Sequence, residues 1–339
     1  MPPQSPLIFD VIPRMGVPGG EVSILCRDFT PSLPSHSKVV FGETPADIVS
    51  ASDELVIARV PCDPHGAGVR LTVGEDSSPT FPFSFARSLA SGLHPVSNPV
   101  VAPDGSVITT ISGSRGQQVS DPLIRVTREG SKIPFACDLM NPTGLAFGPD
   151  GQLYVSSRHE GVVYRYTDFE RLDVVADELG IACGIAFDSK GNLFVGDRNG
   201  RIYRIDGSGS REEFARLEPS VSAYHLAVDS EDAVYVTGPT FSMRDRLFRI
   251  SSGGSVEALL DGLARPQGLT VIPGGDLLIA SSYGGKKGLF RFSPASAEIE
   301  HCVAAPTLVG VALSGNDLFL ADSDSLAWIR FGAASVRPV

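Results

Sequence analysis

Three groups of side chains have the types and spacing to do chemistry. Arg158-His159-Glu160 sets an imidazole between a cation and a carboxylate, surroundings that tune a histidine for acid–base work. The plain alternative is a solvated loop histidine. Asp197, followed by Arg198 and Asn199, could hold a cation or activate water, or else accept backbone N–H groups within its own loop. Cys183 could be a nucleophile only beside a base, and its neighbours Ile181, Ala182 and Ile185 supply none. His159, Glu160 and Asp197 are therefore the candidates for catalysis. Asp322-Ser323-Asp324 offers two carboxylates without the glycine-containing loop of a calcium site. Gly285-Lys286-Lys287-Gly288 lacks the upstream glycine and the Ser/Thr of a phosphate loop, and G-x-S-x-G, H-E-x-x-H and G-x-G-x-x-G do not occur.

Composition narrows the partners. The chain of 339 residues carries 28 basic and 39 acidic side chains, a net charge of −11 that argues against nucleic acid or an anionic membrane surface. No apolar run approaches the ~20 residues of a membrane span. The first residues show no basic start ahead of an apolar stretch, so a cytoplasmic location is expected unless a leader is missing. Cys26, Cys62, Cys137, Cys183 and Cys302 form no C-x-x-C pair, which excludes a zinc ribbon or thioredoxin motif. Reduced, mostly buried thiols are expected, with Cys26 and Cys62 the one pair that a bridge could join. The 36 Gly and 26 Pro are spread without a short period, as tight turns between many short strands require.

The elements that must position these residues come in two parts. Over residues 1–87, Val22 to Leu25 follows Pro18-Gly19-Gly20, Lys38 to Phe41 runs into Gly42, Leu55 to Val60 stops at Pro61, and Val69 to Val73 ends at Gly74. That rhythm suits an antiparallel sandwich. With Ile12-Pro13, Phe29 and the closing Phe81-Pro82-Phe83-Ser84-Phe85, the segment resembles an IPT/TIG domain, the immunoglobulin-like module of many bacterial surface and carbohydrate-associated proteins. The family's usual Gly before Asn-Phe is here Cys26-Arg27-Asp28-Phe29. The resemblance implies a docking or spacer module, offers no catalytic residue, and implies export.

Residues 97 to 331 repeat one unit six times, starting at Asn98, Gly144, Gly184, His225, Gly268 and Gly310. The clearest copy reads GIAFDSKGNLFVGD followed by RIYRI, two apolar strands around a Gly/Asp/Asn turn and then a third. Such a four-strand unit is the size of one propeller blade. The wording resembles the NHL-repeat family and the wider gluconolactonase/senescence-marker-protein group. The expected fold is therefore all-β, an immunoglobulin-like β-sandwich over residues 1–87 followed by a six-bladed β-propeller over 88–339. A Leu lies five residues before four of the starts, at Leu93, Leu139, Leu179 and Leu263. Leu93 precedes the first blade, so Ala86 to Leu93 is expected to be the outer strand of the last blade, beside Leu326 to Phe331.

In this architecture the residue before each start faces the axis, which selects Ser97, Thr143, Cys183, Tyr224, Gln267 and Val309. Loops between second and third strands add Arg115, Arg158, Arg198 and Tyr283, among others, around a mouth carrying both charge signs. The lactonases of the related group hold a divalent ion there with a Glu, an Asn and an Asp. Here the corresponding positions read Ser97, Thr143, Cys183 and Gln267, so no metal ligand is assigned, and calcium or zinc would need Asp197 or Glu160 from the loops. The expected function is a binding propeller that holds a small molecule, glycan or protein at its loop mouth, without nucleic acid, membrane span or evident cofactor, and as a monomer. The alternative is a gluconolactonase-like lactone or ester hydrolase with a rearranged, metal-poor site.

Overall fold

Alternation of apolar and polar residues is what the backbone answers to. In the strand Glu21–Arg27, Val22, Ile24 and Cys26 are buried while Glu21, Leu25 and Arg27 are exposed. The computed structural model describes residues 5–31, 36–113, 116–135, 138–167, 171–242 and 244–332. Among the described residues every regular element is a strand.

Two four-stranded sheets are built from residues 7–77. One orders Leu7–Ile12, Glu21–Arg27, Leu55–Arg59 and Ile48–Ala51; the other orders Thr44–Ala46, Ser37–Phe41, Val69–Val73 and Asp76–Ser77. They share one core, in which Ile24 and Val56 of the first sheet belong with Phe41 and Leu71 of the second, and with Phe29. Cys26 is buried and Cys62 exposed, both as free thiols, so the bridge considered from sequence does not form; Cys137 lies outside the described residues.

Six further sheets occupy residues 100–135, 142–176, 182–216, 225–263, 269–304 and 310–330, and are called the first to sixth sheets below. Their opening strands are Val100–Val101, Pro142–Phe147, Ala182–Phe187, His225–Val228, Leu269–Val271 and Gly310–Ser314. Each lies against the next, and the last lies against the first, so they close a ring about an axis. Apolar clusters fill every space between adjacent sheets, for example Leu123, Leu139 and Val155 between first and second, and Phe194, Val234 and Val236 between third and fourth. Leu93, Leu139, Leu179 and Leu263 are all buried.

Two glycine positions explain the repeat. At the starts, neighbouring inner strands approach so closely that a Cβ on Gly184 would stand 2.5 Å from the Tyr224 carbonyl oxygen, the same oxygen that accepts the Gly184 N–H at 2.9 Å. At the hairpin turns, Gly105, Gly151, Gly191 and Gly275 take φ of 79, 74, 83 and 90°, and Asp232 takes 61° in the same role.

The ring closes as the sequence predicts: Arg87–Ala90 pairs antiparallel with Leu326–Arg330, setting Arg87 opposite Trp328 and Ser88 opposite Ala327. The edge that would be left open is thereby covered. A second joint has no sequence signature. Met15–Gly16 adds in parallel to the outer edge of the fifth sheet, Gly16 opposite Ala304, and Ser84–Phe85 adds in parallel outside it. The Ala304 carbonyl accepts the Val17 N–H at 2.9 Å, and Lys286 Nζ donates to Ser23 Oγ at 2.7 Å. Ala304 belongs to the core of the N-terminal sheets, while Met15 and Val17 belong to the core between the fifth and sixth sheets. The two parts share a sheet and parts of two cores.

A cationic cavity at the mouth of the ring

The inner strands begin at one end of the axis, and a cavity of about 670 Å³ opens there. Thr143, Cys183, Gln267 and Val309, each the residue before a start, line it together with Arg158 and Arg198. Arg158 follows the strand Leu153–Ser157 of the second sheet and Arg198 follows Leu193–Asp197 of the third. Both are half-buried. Backbone carbonyls fix them: Arg158 Nη2 donates to Gly113 O at 3.0 Å, and Arg198 donates from Nε to Ser220 O at 3.1 Å and from Nη2 to Val221 O at 2.7 Å. Burial holds the Arg158 guanidinium below its usual value, with the charge of Arg198 acting in the same direction and Cys183 opposing. Arg265 and Lys287, both exposed, add two more cations to the lining, and Ser222, Ser281, Ser282 and Thr307 add hydroxyls.

Among the described residues no carboxylate lines this cavity, and none of its four cations makes an ion pair. The mixed-sign mouth expected from the loops is thus corrected to a positive one, because the carboxylates have other work. Buried Asp197 turns its Oδ1 to the N–H groups of Ile181 and Asn199, each at 3.0 Å, and to Asn199 Nδ2 at 3.1 Å. Asp322 accepts from the N–H groups of Asp324 and Ser325 at 2.8 and 2.6 Å. His159 and Glu160 are exposed at the tip of their loop and do not line the cavity; the Glu160 carboxylate bonds to Tyr164 on the same hairpin. These three candidates for catalysis are not brought together at the mouth.

Other expected residues are redirected. Tyr224 faces away from the cavity: its ring would stand 2.7 Å from a Cβ on Gly238, and its hydroxyl donates to the Glu218 carbonyl. The glycines at 196 and 238 leave the space into which this ring is driven. Tyr283 packs in the apolar cluster between the fourth and fifth sheets, with its ring 6.1 Å from that of Phe290. Arg115 lies outside the described residues. Cys183 does line the cavity, but burial pushes its thiol up to about 11 and the Asp197 carboxylate adds to the shift, so at neutral pH it is no nucleophile.

Deeper in the channel, Ser97 and His225 meet across the axis, Ser97 Oγ lying 3.4 Å from His225 Nδ1. They come from the first and fourth sheets, opposite positions in a ring of six. His225 is 1% exposed, its Nε2 has no hydrogen-bond partner among the described residues, and burial pushes its pKa down to about 4, with nearby Gln267 opposing the shift. Ser97 belongs to a second cavity of about 400 Å³ toward the other end, which shares no lining residue with the first. The Ser97–His225 contact spans the channel between them. Asn98, beside Ser97, stitches three sheets: Nδ2 donates to Leu269 O at 2.8 Å and Oδ1 accepts the Val311 N–H at 3.0 Å.

Sequence reasoning missed Arg265. A signal was present: Arg265-Pro266 stands to Gly268 as Asn141-Pro142 stands to Gly144, and both Arg265 and Asn141 take positive φ, 52 and 47°. The repeat therefore carries residues to the mouth on its entry turns as well as on the loops between second and third strands.

Among known families, a model of the strictosidine synthase-like N-terminal family matches residues 184–205, most of three strands of the third sheet. No curated protein matches the chain in sequence. Several solved structures resemble it in fold. An auxiliary nutrient binding protein from Bacteroides ovatus aligns over 97% of this chain and 99% of its own, at 13% identity and a TM-score of 0.53. Virginiamycin B lyase from Staphylococcus aureus aligns over 96% and 95%, at 16% identity and a TM-score of 0.52. A gluconolactonase from Xanthomonas campestris aligns over 72% and 89%, at 15% identity and a TM-score of 0.55. These likenesses bear on fold alone, and the fold is an all-β propeller of the kind found in gluconolactonases and virginiamycin B lyase.

Proposed function

We propose that this chain is a six-bladed propeller with an IPT/TIG-like immunoglobulin-fold unit, and that it binds a small anionic molecule, such as an acid sugar, at the mouth of its channel. One observation carries the reading: among the described residues four cations and no carboxylate line a single cavity, in a protein whose net charge is −11. Half-buried guanidiniums without counter-ions favour an anion that supplies them. The cavity volume is that of small-molecule sites. A binding role is in keeping with the fold, which an auxiliary nutrient binding protein shares. The N-terminal unit serves as a docking module held rigidly to the fifth blade, because a shared sheet does not act as a flexible spacer.

The hydrolase alternative draws on the fold of the gluconolactonase relative, whose group uses a divalent cation. The donor set here does not fit one. Among the described residues no three His, Cys, Asp or Glu side chains cluster to hold a metal, and the cavity lining is positive where a cation would sit. Thermal melting of the full chain with gluconate, galacturonate and glucose tests the leading reading. An acid sugar at about 100 times its Kd should add about 2.7 kcal/mol of stability. Stabilisation by glucose equal to that by the acids would overturn it. A calcium- or zinc-linked rise in melting temperature with lactone turnover would favour the hydrolase.

A further inference from the structure

The four cations of the cavity are divided, and the division carries an inference that rests on the anion-binding reading above. Arg158 and Arg198 belong to the second and third sheets, half-buried and tied to carbonyl oxygens. Arg265 and Lys287 belong to the fifth: Arg265 leads into its opening strand Leu269–Val271, and Lys287 lies on Lys286–Ser293. Both are exposed, and neither side chain donates a hydrogen bond to the fold among the described residues. In the closed ring the fifth sheet stands across the axis from the second. A deep pair on one wall therefore faces a rim pair on the other, with Gln267 and hydroxyls between. A single carboxylate has two oxygens, too few to satisfy the donors of four cations set on two walls.

We propose that the ligand is a short dianion with an acid group at each end, a dicarboxylate or diacid sugar. One carboxylate takes the N–H groups of Arg158 and Arg198, and the other is held by Arg265 and Lys287. Each end adds a charge-assisted contact, and the exposed pair contributes at the lower end of such contacts, about tenfold in affinity.

The test is calorimetric titration of the full chain at low ionic strength with glutarate, adipate, hexanoate and inorganic phosphate. The better dicarboxylate should bind about tenfold or more tightly than hexanoate. In Arg265→Gln with Lys287→Gln the dicarboxylate should lose its advantage over hexanoate, beyond the loss that both probes share from the removed charge. Arg158→Gln with Arg198→Gln should weaken both probes. Because those two arginines also hold backbone carbonyls, the rim variant is the deciding one. Equal affinity for adipate, glutarate and hexanoate, or a rim variant that binds the dicarboxylate as well as wild type, overturns the two-ended ligand and leaves the anion site standing. Failure of all four probes to bind overturns both.

Discussion

His225 offers the sharpest test of the packed channel. Its imidazole is neutral because burial makes the charged form costly, which pulls the pKa from 6.5 to about 4. In the unfolded chain the ring takes up a proton as the pH falls through about 6.5; in the folded chain it resists until about 4. The unfolded state thus binds more protons within that window, so the stability tied to the neutral ring is complete above pH 6.5 and is lost on the way down to pH 4. At about 1.4 kcal/mol per pH unit the loss is about 3 kcal/mol. For a domain of this size that is about 6–12 °C in melting temperature. The assay is thermal unfolding of wild type, His225→Gln and His225→Gly at intervals from neutral pH to pH 4. Burial also pushes His301 down to about 4, but it is present in all three proteins and cancels in the comparison. Wild type should lose about 3 kcal/mol more than either variant. Parallel curves, or a His225 imidazole resonance titrating near 6.5, would refute the argument that the ring is sealed in the channel.

Further outcomes follow from the packing. Gly184→Ala places a Cβ 2.5 Å from the Tyr224 oxygen and disturbs the hydrogen bond between those strands, so it should cost about 2–4 kcal/mol in chemical denaturation, against about 1 kcal/mol for Gly191→Ala at the open turn. Leu93→Ala empties a fully buried site beside the closing strand and should cost about 2–5 kcal/mol; a change within 0.5 kcal/mol would mean that the seam carries little of the ring's stability. Iodoacetamide at neutral pH, read by peptide mass mapping, should label exposed Cys62 well ahead of Cys183, whose thiol is pushed up to about 11; the reverse order would restore Cys183 as a nucleophile.

Much of the ring was legible because its geometry imposes chemistry on single positions. Close approach at the axis demands Gly184 and Gly310, left-handed turns demand Gly151 or Asp232, and the buried Leu93 betrays the closing strand ahead of the first sheet. Thr143, Cys183 and Gln267 followed from counting back one residue from each start, and they do reach the cavity. Tyr224 obeys the same count but not the geometry, since its bulk finds more room between sheets beside Gly196 and Gly238 than in a channel that His225 already fills. The sign of the mouth was illegible for a different reason. Whether an aspartate faces solvent or its own loop depends on N–H groups brought round by the fold, and Asp197 aims its Oδ1 at Ile181 and Asn199 while its Oδ2 is buried without a hydrogen-bond partner among the described residues. The joint at Met15–Gly16 is too short for any periodicity to mark it.

That joint and the closing strand together dictate an order of events during synthesis. Met15–Gly16 waits for Glu298–Ala304, and Arg87–Ala90 waits for Leu326–Arg330, so early segments find their partners only when strands far along the chain have been made. The middle sheets need no such delay, since each is an uninterrupted run of hairpins. Until residues 298–304 and 326–330 have been made the fifth and sixth sheets are incomplete, and the strands destined to finish them remain unpaired edges. A nascent chain stalled before residue 298 should therefore be protease-sensitive over residues 84–90 while residues 142–263 are already protected, and the ring is sealed only when Arg87–Ala90 meets Leu326–Arg330.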